Sequence, residues 1–190
     1  MNQRSIGIVT AAIVALIVAG SIAWYALKAS HRLQSASQSP IVGKAALGQT
    51  APQFEVPTTQ GVFNLDQSTK PVFLEVFATW CPHCQRETAV IDKLYDQYKD
   101  RVDFVGVSGS DTAMDGTSPA SQLDVVNWID KFHVTYPVAY DANLTVANLY
   151  LQGGFPTMAV IGKNKQIAYL NSGEISYDEL KTALDKALSS

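Results

Sequence analysis

The feature that most constrains this chain is a pair of cysteines, Cys81 and Cys84, set between two segments with different hydrophobic patterns. Residues 72–78, VFLEVFA, are a near-continuous run of β-prone residues, which is typical of a strand buried on both faces of a sheet. Beyond the cysteines, apolar residues recur at helical spacing, which predicts an amphipathic helix over residues 82–99. The two cysteines therefore lie where a buried strand ends and a helix begins.

That position suits thiol chemistry, because the first turn of a helix presents free backbone N–H groups and the positive end of the helix dipole. A thiolate at Cys81 is stabilised there, and Pro82 suits the first helical position, where its missing N–H has no partner to lose. His83, when protonated, adds a positive charge beside the thiolate. The spacing lets Cys84 reach the Cys81 sulfur. Cys81 would attack a substrate disulfide and Cys84 would resolve the mixed disulfide, or the reverse sequence would oxidise a dithiol.

Other uses of a cysteine pair fit this chain less well. A disulfide that closes so short a loop removes little entropy from the unfolded chain, although an inert disulfide or two buried thiols stay open as alternatives. A zinc site needs about four ligands, usually two such pairs. A c-type haem needs His directly after the second cysteine, where this chain has Gln85. We therefore predict no metal ligands and no cofactor.

The charge balance argues against a nucleic-acid partner. The chain has 190 residues and a formal net charge of −3, and from residue 33 onward it has 11 basic and 17 acidic residues, a balance of −6. A surface of that sign repels phosphate backbones. The length suits one domain plus an extension, and we expect a monomer.

The N-terminal extension is apolar. Residues 6–27 hold no charged side chain, and a 22-residue helix at about 1.5 Å per residue spans roughly 33 Å, enough for a bilayer core of about 30 Å. Trp24 and Tyr25 lie near one end, where aromatic side chains favour the membrane interface. Cleaved signal peptides have apolar regions of only about 7–15 residues. We therefore predict an uncleaved membrane anchor at residues 1–28, followed by a tether at residues 29–47.

Basic residues do not orient the anchor, since Arg4 lies on one side and Lys28 and Arg32 lie on the other. A single N-terminal span commonly acts as a signal-anchor, and a domain outside the cytoplasm would find an oxidising compartment for its cysteines. We expect a single-pass protein of the cell membrane whose domain faces the periplasm or the extracellular side.

The rest of the chain alternates strands and helices. Strands are predicted at residues 53–56, 62–65, 72–78, 102–108, 137–140, 157–161 and 166–170, and helices at residues 82–99 and 144–151, along the stripe Leu123, Val126, Ile129 and Phe132, and along the stripe Leu180, Ala183, Leu184, Ala187 and Leu188. Ser176 and Glu179 have the spacing of a capping box at the start of the last helix. This order predicts an α/β domain over residues 48–190, with a central mixed sheet flanked by helices.

Four stretches, in order along the chain, resemble the thioredoxin superfamily, and within it the membrane-anchored TlpA/ResA/CcmG-like branch of redoxins, related to the AhpC/TSA proteins. They are GQTAPQF at residues 48–54, FATWCPHCQRE at residues 77–87, YPV at residues 136–138 and GFPT at residues 154–157. The resemblance implies a thioredoxin-like fold and a thiol–disulfide oxidoreductase. Its partners would be protein thiols and disulfides and a membrane or extracytoplasmic redox protein, with reduction of apocytochrome c in cytochrome c maturation as one role.

The resemblance also assigns two acidic residues to the site. Glu75 takes the position of the buried acid six residues before the first cysteine, and a carboxyl in an apolar strand should have a raised pKa, so it could exchange protons with Cys84. The alternative is an exposed edge residue, which Phe73 and Phe77 on the same strand face disfavour. Glu87 matches the active-site Glu of the branch, and its alternative is a solvated first-turn acid favoured by the helix dipole.

Residues around the cysteines would bind the substrate. Pro156 would be the cis-proline that faces the cysteines and, together with Phe155, receives the substrate backbone. Trp80 would flank the cysteines, and Pro82 and His83 would lie beside the bound substrate.

The direction of electron flow and three rival functions stay open. Many reductants of this branch have Pro-Pro or Glu-Pro between the cysteines, whereas Pro82-His83 is the pair of the DsbA oxidants, and a histidine there makes the disulfide more oxidising. A peroxiredoxin would need Thr where Ala78 lies. A Sco-type copper-delivery protein would use C-x-x-x-C with a distant His, for which His133 is the candidate, unless it is an ordinary helix-end residue. A purely structural anchored domain would need no reactive cysteine.

Overall fold

The computed structural model of this chain describes residues 44–189. The predicted membrane anchor at residues 1–28 and most of the predicted tether lie outside the described residues. Within residues 44–189, no helix is both long enough and apolar enough to cross a membrane.

This part of the chain folds into alternating strands and helices, in the predicted order. The strands are β1 (Glu55–Thr58), β2 (Gly61–Asn64), β3 (Val72–Phe77), β4 (Asp103–Ser108), β5 (Val138–Tyr140), β6 (Thr157–Ile161) and β7 (Ile167–Ser172). The helices are α1 (Pro82–Tyr98), α2 (Gln122–Phe132), α3 (Thr145–Tyr150) and α4 (Tyr177–Leu188). The predicted elements are present, and their ends shift by one or two residues at most.

The strands form one sheet in the order β2-β1-β5-β4-β3-β6-β7. β3 runs parallel to β4 and β4 parallel to β5, whereas β6 runs antiparallel to β3 and β7 antiparallel to β6. The predicted mixed sheet is therefore confirmed. All six residues of β3 are buried, as expected for an apolar strand inside a sheet that is covered on both faces. β3 has a neighbouring strand on each side, so the cysteines that follow its C-terminal end lie near the middle of the sheet and not beside an edge strand.

Helices cover both faces of the sheet. On one face, Phe73 and Phe77 of β3 share a buried cluster with residues of α1, α2 and α4. On the other face, Leu74 and Val76 share a second cluster with residues of α3 and with Ala45. Side chains of β3 alternate between the two clusters because successive residues of a strand point to opposite faces.

The end of the predicted tether belongs to the packed domain. Ala45 is 4% exposed, its N–H donates a hydrogen bond to the carbonyl of Leu149 at 2.8 Å, and its own carbonyl accepts one from the Gln152 side chain at 3.1 Å. The packed domain therefore starts before residue 48, where the sequence placed its boundary. This segment is a run of small residues without a helical or strand period. Such a run does not indicate burial, so its sequence pattern is that of a tether.

Helix α2 is present as predicted, but only Ile129 and Phe132 of the stripe that marked it pack against the core. Leu123 and Val126 are 66% and 47% exposed, whereas Val125 and Trp128 are fully buried. The Trp128 ring stacks on Phe77 with 4.2 Å between the ring centroids. The predicted stripe and the pair Val125 and Trp128 both have helical spacing. Burial of the large Trp128 indole against the sheet decides which residues of the helix face the core.

Helix α4 begins at the predicted cap. The hydroxyl of Ser176 accepts a hydrogen bond from the N–H of Glu179 at 3.3 Å. The Glu179 carboxylate accepts one from the Tyr169 hydroxyl at 2.7 Å, which links the start of the helix to β7. The serine half of the predicted capping box is therefore present.

Candidate active site

The cysteine motif, residues 81–84, begins where β3 ends. Cys81 is the N-cap of α1 and Pro82 occupies the first helical position, as predicted. The N–H of Cys81 donates to the carbonyl of Ala78 at 3.1 Å, and the Gln85 side chain donates to the carbonyl of Thr79 at 2.8 Å. These hydrogen bonds close the turn between the strand and the helix.

A buried contact ties this turn to α2. The Thr79 hydroxyl donates to Asp124 Oδ2 at 2.6 Å, and the other oxygen of Asp124 accepts from the N–H of Met114 at 2.9 Å. The Thr79 hydroxyl is therefore engaged away from the cysteines, and Ala78 takes the position where a peroxiredoxin needs Thr. The turn gives the peroxiredoxin alternative no support.

The two cysteines are free thiols in different surroundings. Cys81 lines an open pocket of about 400 Å³, whose other walls are Trp80, His83, Leu151, Gly153, Gly154 and Phe155. Both cysteines belong to the same core cluster, but Cys81 is 4% exposed and borders the pocket, whereas Cys84 is 0% exposed. Burial strongly raises the pKa of the Cys84 thiol, and the negative charge of Glu75 raises it further. Cys81 is therefore the thiol that a substrate can reach.

The segment before β6 forms the wall that faces Cys81. The Phe155–Pro156 peptide bond is cis, which confirms the prediction made from the resemblance. The Cys81 sulfur lies 3.6 Å from the Phe155 carbonyl oxygen. Trp80 meets the Phe155 ring edge-on, with 6.0 Å between centroids, and its Nε1 donates to the Ser110 hydroxyl at 2.8 Å. Trp80 and Phe155 thus flank the open pocket at Cys81.

Glu75 lies in the middle of β3 and is 0% exposed, so the alternative of an exposed edge residue is wrong. Its Oε2 accepts a hydrogen bond from the Tyr136 hydroxyl at 3.0 Å, while its Oε1 has no hydrogen-bond partner among the described residues. Burial raises the pKa of Glu75 to about 8, and the negative charges of Glu87 and Asp92 add to the effect. The predicted buried acid is therefore present.

Glu87 is also buried, at 3% exposure, so the solvated first-turn alternative is wrong. Its position on α1 faces the segment that leads into α4, and its Oε2 accepts from the N–H of Ile175 at 3.3 Å. Burial raises the pKa of Glu87 to about 7. Two buried carboxyl groups therefore lie in the part of the site that holds Cys84.

His83, Arg86 and Glu174 meet at the exposed rim. His83 Nδ1 lies 2.5 Å from Glu174 Oε1, Arg86 Nε donates to the same oxygen at 2.9 Å, and Arg86 Nη2 lies 2.9 Å from His83 Nδ1. The hydrogen bonds from Arg86 and His83 lower the pKa of Glu174 to about 2. The histidine predicted to lie beside Cys81 therefore has a carboxylate partner.

Tyr136, Arg86 and Glu174 also belong to the site, although no sequence pattern predicted their contacts there. Tyr136 lies within the YPV stretch, so a motif marked the residue but not its contact with Glu75, 61 residues earlier. Glu174 lies 91 residues beyond His83, in a connection between β7 and α4 that carries no motif. Contacts at such separations depend on the path of the chain.

The part of the chain that the structure describes gives no support for a metal site. No three or more His, Cys, Asp or Glu side chains are grouped there so that they could hold a metal ion. His133 is the C-terminal cap of α2, in the left-handed conformation with φ 54°, as for an ordinary helix-end residue. The copper-delivery alternative therefore has no supporting ligand group in residues 44–189.

Comparison with known proteins gives the family. The family model described as Redoxin matches residues 46–187. The chain belongs to the redoxin family. This redoxin is 34% identical over 148 residues to the thiol-disulfide oxidoreductase ResA of Oceanobacillus iheyensis, which covers 73% of this chain and 71% of that protein. It is 29% identical over 143 residues to ResA of Geobacillus thermodenitrificans, which covers 74% of this chain and 77% of that protein.

Solved structures show the same fold. StoA from Bacillus subtilis matches this redoxin with a TM-score of 0.59 at 21% identity, over 70% of this chain and 96% of that one. The likeness shows a thioredoxin-like α/β fold. The family model and the ResA relatives make this redoxin a ResA/CcmG-like thiol–disulfide oxidoreductase of the thioredoxin superfamily, as the resemblance implied.

Proposed function

We propose that this redoxin exchanges disulfides with protein substrates through the cysteine motif at residues 81–84. The asymmetry of the pair carries the proposal. Cys81 lines an open pocket against the cis Phe155–Pro156 bond, whereas Cys84 is buried beside Glu75. A reachable thiol and a resolving thiol are the two parts that exchange requires.

In the first step, the Cys81 thiolate attacks one sulfur of a substrate disulfide. A bond forms between Cys81 and that sulfur, and the other substrate sulfur leaves as a thiolate that takes a proton from solvent. Trp80 and Phe155 contact the substrate on either side of the reacting sulfur, since their rings flank the open pocket. The Phe155 carbonyl, 3.6 Å from the Cys81 sulfur, accepts a hydrogen bond from the substrate backbone.

In the second step, Cys84 gives its proton to the Glu75 carboxylate and attacks the Cys81 sulfur. The substrate leaves as its second thiolate, and a Cys81–Cys84 disulfide remains, so the substrate has gained the two electrons that the enzyme has lost. Burial raises the pKa of Glu75 to about 8, so its carboxyl can take up and release a proton near neutral pH. Glu87, whose pKa is raised to about 7, is the second acid on this side of the site.

Turnover in this direction needs a membrane or extracytoplasmic redox protein that returns two electrons to the disulfide. The enzyme is then a reductant of protein disulfides, with apocytochrome c as one substrate class. The opposite direction, a DsbA-like disulfide donor, is the second candidate. It is supported by His83 and Arg86, because positive charge near Cys81 stabilises the thiolate of the reduced form and makes the disulfide more oxidising.

We place this chemistry outside the cytoplasm, in a domain held to the cell membrane by residues 6–27. The uncharged run of 22 residues supports an anchor, and an oxidising compartment suits a disulfide-exchanging pair. Protease added to intact spheroplasts should then degrade the domain while a cytoplasmic marker survives. Survival of the domain until the cells are lysed would contradict this orientation.

Trapping tests the order of the two cysteines. The variant Cys84→Ser can form the mixed disulfide but cannot resolve it, so it should accumulate covalent adducts with cell proteins that dithiothreitol releases. The variant Cys81→Ser is the matched control and should form none. If Cys84→Ser yields no adducts, or if the control yields as many, the proposed function fails.

The reduction potential of the pair decides between the two directions. Equilibration of the 190-residue chain in detergent with glutathione buffers gives the fraction oxidised. A value near roughly −270 mV or below matches thioredoxin and supports the reductant, whereas a value near roughly −120 mV matches DsbA and supports the disulfide donor.

A further inference from the structure

Tyr136 meets the buried acid of the site through its hydroxyl. It lies just before β5, is 2% exposed, and donates to Glu75 Oε2 at 3.0 Å. Burial and the neighbouring charge of Glu75 raise the pKa of Tyr136 well above its ordinary value, so the hydroxyl keeps its proton and acts as a donor. In the described part of the chain this is the one hydrogen bond to the Glu75 carboxyl.

A glycine on β4 makes room for this contact. Gly106 pairs with Glu75 across the parallel strands, and its N–H donates to the carbonyl of Pro137 at 2.9 Å, which holds the backbone next to Tyr136. A Cβ atom on Gly106 would lie 2.9 Å from Tyr136 Cε2 and 3.6 Å from Glu75 Oε2. The Tyr136 ring therefore occupies the space of the missing side chain, and any other residue at this position would push the ring away from the carboxyl.

We propose that Tyr136 is a positioning residue for proton exchange between Glu75 and Cys84, holding one carboxyl oxygen so that the other stays free for the thiol. The proposal rests on the role given above to Glu75. Glu75 Oε1 has no partner among residues 44–189, and the Glu75 charge acts on Cys84. A hydrogen bond to Oε2 also stabilises the carboxylate, which is the form that accepts the Cys84 proton.

The other ionisable groups around Glu75 act against this carboxylate. Glu87, Asp92 and Cys84 all face it from α1, and the negative charges of Glu87 and Asp92 raise its pKa. Asp92 itself accepts from the N–H of Thr135 at 2.9 Å and from its hydroxyl at 2.7 Å, next to Tyr136. The Tyr136 hydroxyl is the group that lowers the pKa of Glu75, so its removal should move this pKa above about 8.

The test follows the second chemical step as a function of pH. Attack of Cys81 on Ellman's reagent releases one coloured nitrobenzoate thiolate and leaves the other nitrobenzoate thiol bound to Cys81, and attack by Cys84 then releases that second thiol as the same coloured thiolate. The chain has no other cysteine, so the absorbance rises in two phases. With excess reagent, the rate of the first phase follows the reagent concentration. The second phase is independent of that concentration, is absent from Cys84→Ser, and reports the attack by Cys84. Stopped-flow measurement on the 190-residue chain in detergent, from about pH 6 to about pH 10, gives the midpoint of the rate profile.

We expect Tyr136→Phe, which keeps the ring and removes the hydroxyl, to move the midpoint up by about one pH unit. The release rate at about pH 7 then falls about tenfold, and the plateau at high pH is unchanged. Gly106→Ala, which displaces the ring, should move the midpoint in the same direction. Tyr95→Phe is the matched control and should behave as wild type, because the Tyr95 ring packs edge-on against Tyr136 at 6.5 Å while its hydroxyl reaches Gln60 at 3.4 Å.

The outcomes separate this inference from the proposed function. If Glu75→Gln removes the titration while Tyr136→Phe keeps the wild-type midpoint, the positioning role of Tyr136 is overturned and Glu75 keeps its role. If Glu75→Gln also leaves the rate profile unchanged, Glu75 does not exchange a proton in this step, and the proposed role of Tyr136 is overturned together with that of Glu75. A Tyr136→Phe rate that drops equally at every pH would show a merely structural contribution and would overturn the inference.

Discussion

Carboxyl groups lie on both sides of the cysteine motif, and the two sides affect them in opposite ways. On the buried side, Glu75 and Glu87 are 0% and 3% exposed, and burial raises their pKa values to about 8 and about 7. On the exposed rim, the Glu174 side chain is 41% exposed, and hydrogen bonds from Arg86 and His83 lower its pKa to about 2. The same functional group thus holds a proton on one side and a charge on the other.

The two sides hold different thiols, with Cys84 on the buried side and Cys81 next to the exposed rim. In the proposed reaction, Cys84 loses its proton inside the protein, so it needs a neighbouring base that titrates near neutral pH. In the same reaction, Cys81 reacts at the open pocket that it lines, and the rim beside that pocket holds Arg86 and Glu174. Buried carboxyls therefore suit proton transfer, and the exposed carboxylate suits control of charge around the reactive thiol.

The largest effect should appear in the reactivity of the separate thiols. In folded, reduced protein near neutral pH, iodoacetamide should alkylate Cys84 in the Cys81→Ser variant at least about a thousandfold more slowly than Cys81 in the Cys84→Ser variant. Cys84 is fully buried, and each unit by which burial raises its pKa lowers the thiolate fraction tenfold. In denaturant both variants should react at similar rates. Comparable rates in the folded state would remove the contrast between the two sides.

The pH dependence of stability should show the buried carboxyl. Below about pH 4.5, Glu75 is protonated in both states. As the pH rises toward about 8, the unfolded state ionises and the folded state does not, so the free energy of unfolding falls by about 1.4 kcal/mol per pH unit. Between about pH 6 and about pH 8, reduced wild type should lose about 2 kcal/mol more stability than Glu75→Gln in urea unfolding.

A matched control separates this effect from the loss of any carboxyl. Glu55 is an exposed acid on β1, so Glu55→Gln should keep the wild-type dependence on pH. Equal slopes for wild type and Glu75→Gln would mean that Glu75 ionises alike in both states, and its difference from Glu174 would disappear.

The smallest effect should come from the rim. Glu174→Gln leaves the positive charge of Arg86 without its carboxylate, which favours the thiolate of the reduced enzyme. The reduction potential should rise, by no more than about 20 mV, because solvent screens exposed charges. Glu179→Gln on α4, where the carboxylate binds Tyr169, is the control and should leave the potential unchanged. A fall in the potential would contradict a charge-balancing role for Glu174.

Much of the fold could be predicted because its cause is local. The apolar run of β3 and the helical period of α1 follow from adjacent side chains, and together they place Cys81 and Cys84 at the strand-to-helix junction. The cap at Ser176 is local in the same sense. The sequence could not predict which face of α2 is most deeply buried. The predicted stripe and the pair Val125 and Trp128 share the helical period, and only contact with the sheet distinguishes them.

The sequence by itself determined the alternation of strands and helices, the thiol pair and, through a family motif, the acid at Glu75. Only the tertiary structure decided which groups surround these residues. Tyr136 reaches Glu75 because β3, β4 and β5 lie side by side and position 106 has no side chain. Glu174 reaches His83 because the connection after β7 returns to the start of α1. Patterns along a chain report local conformation and burial, whereas partners 61 and 91 residues apart are set by how the strands are ordered in the sheet.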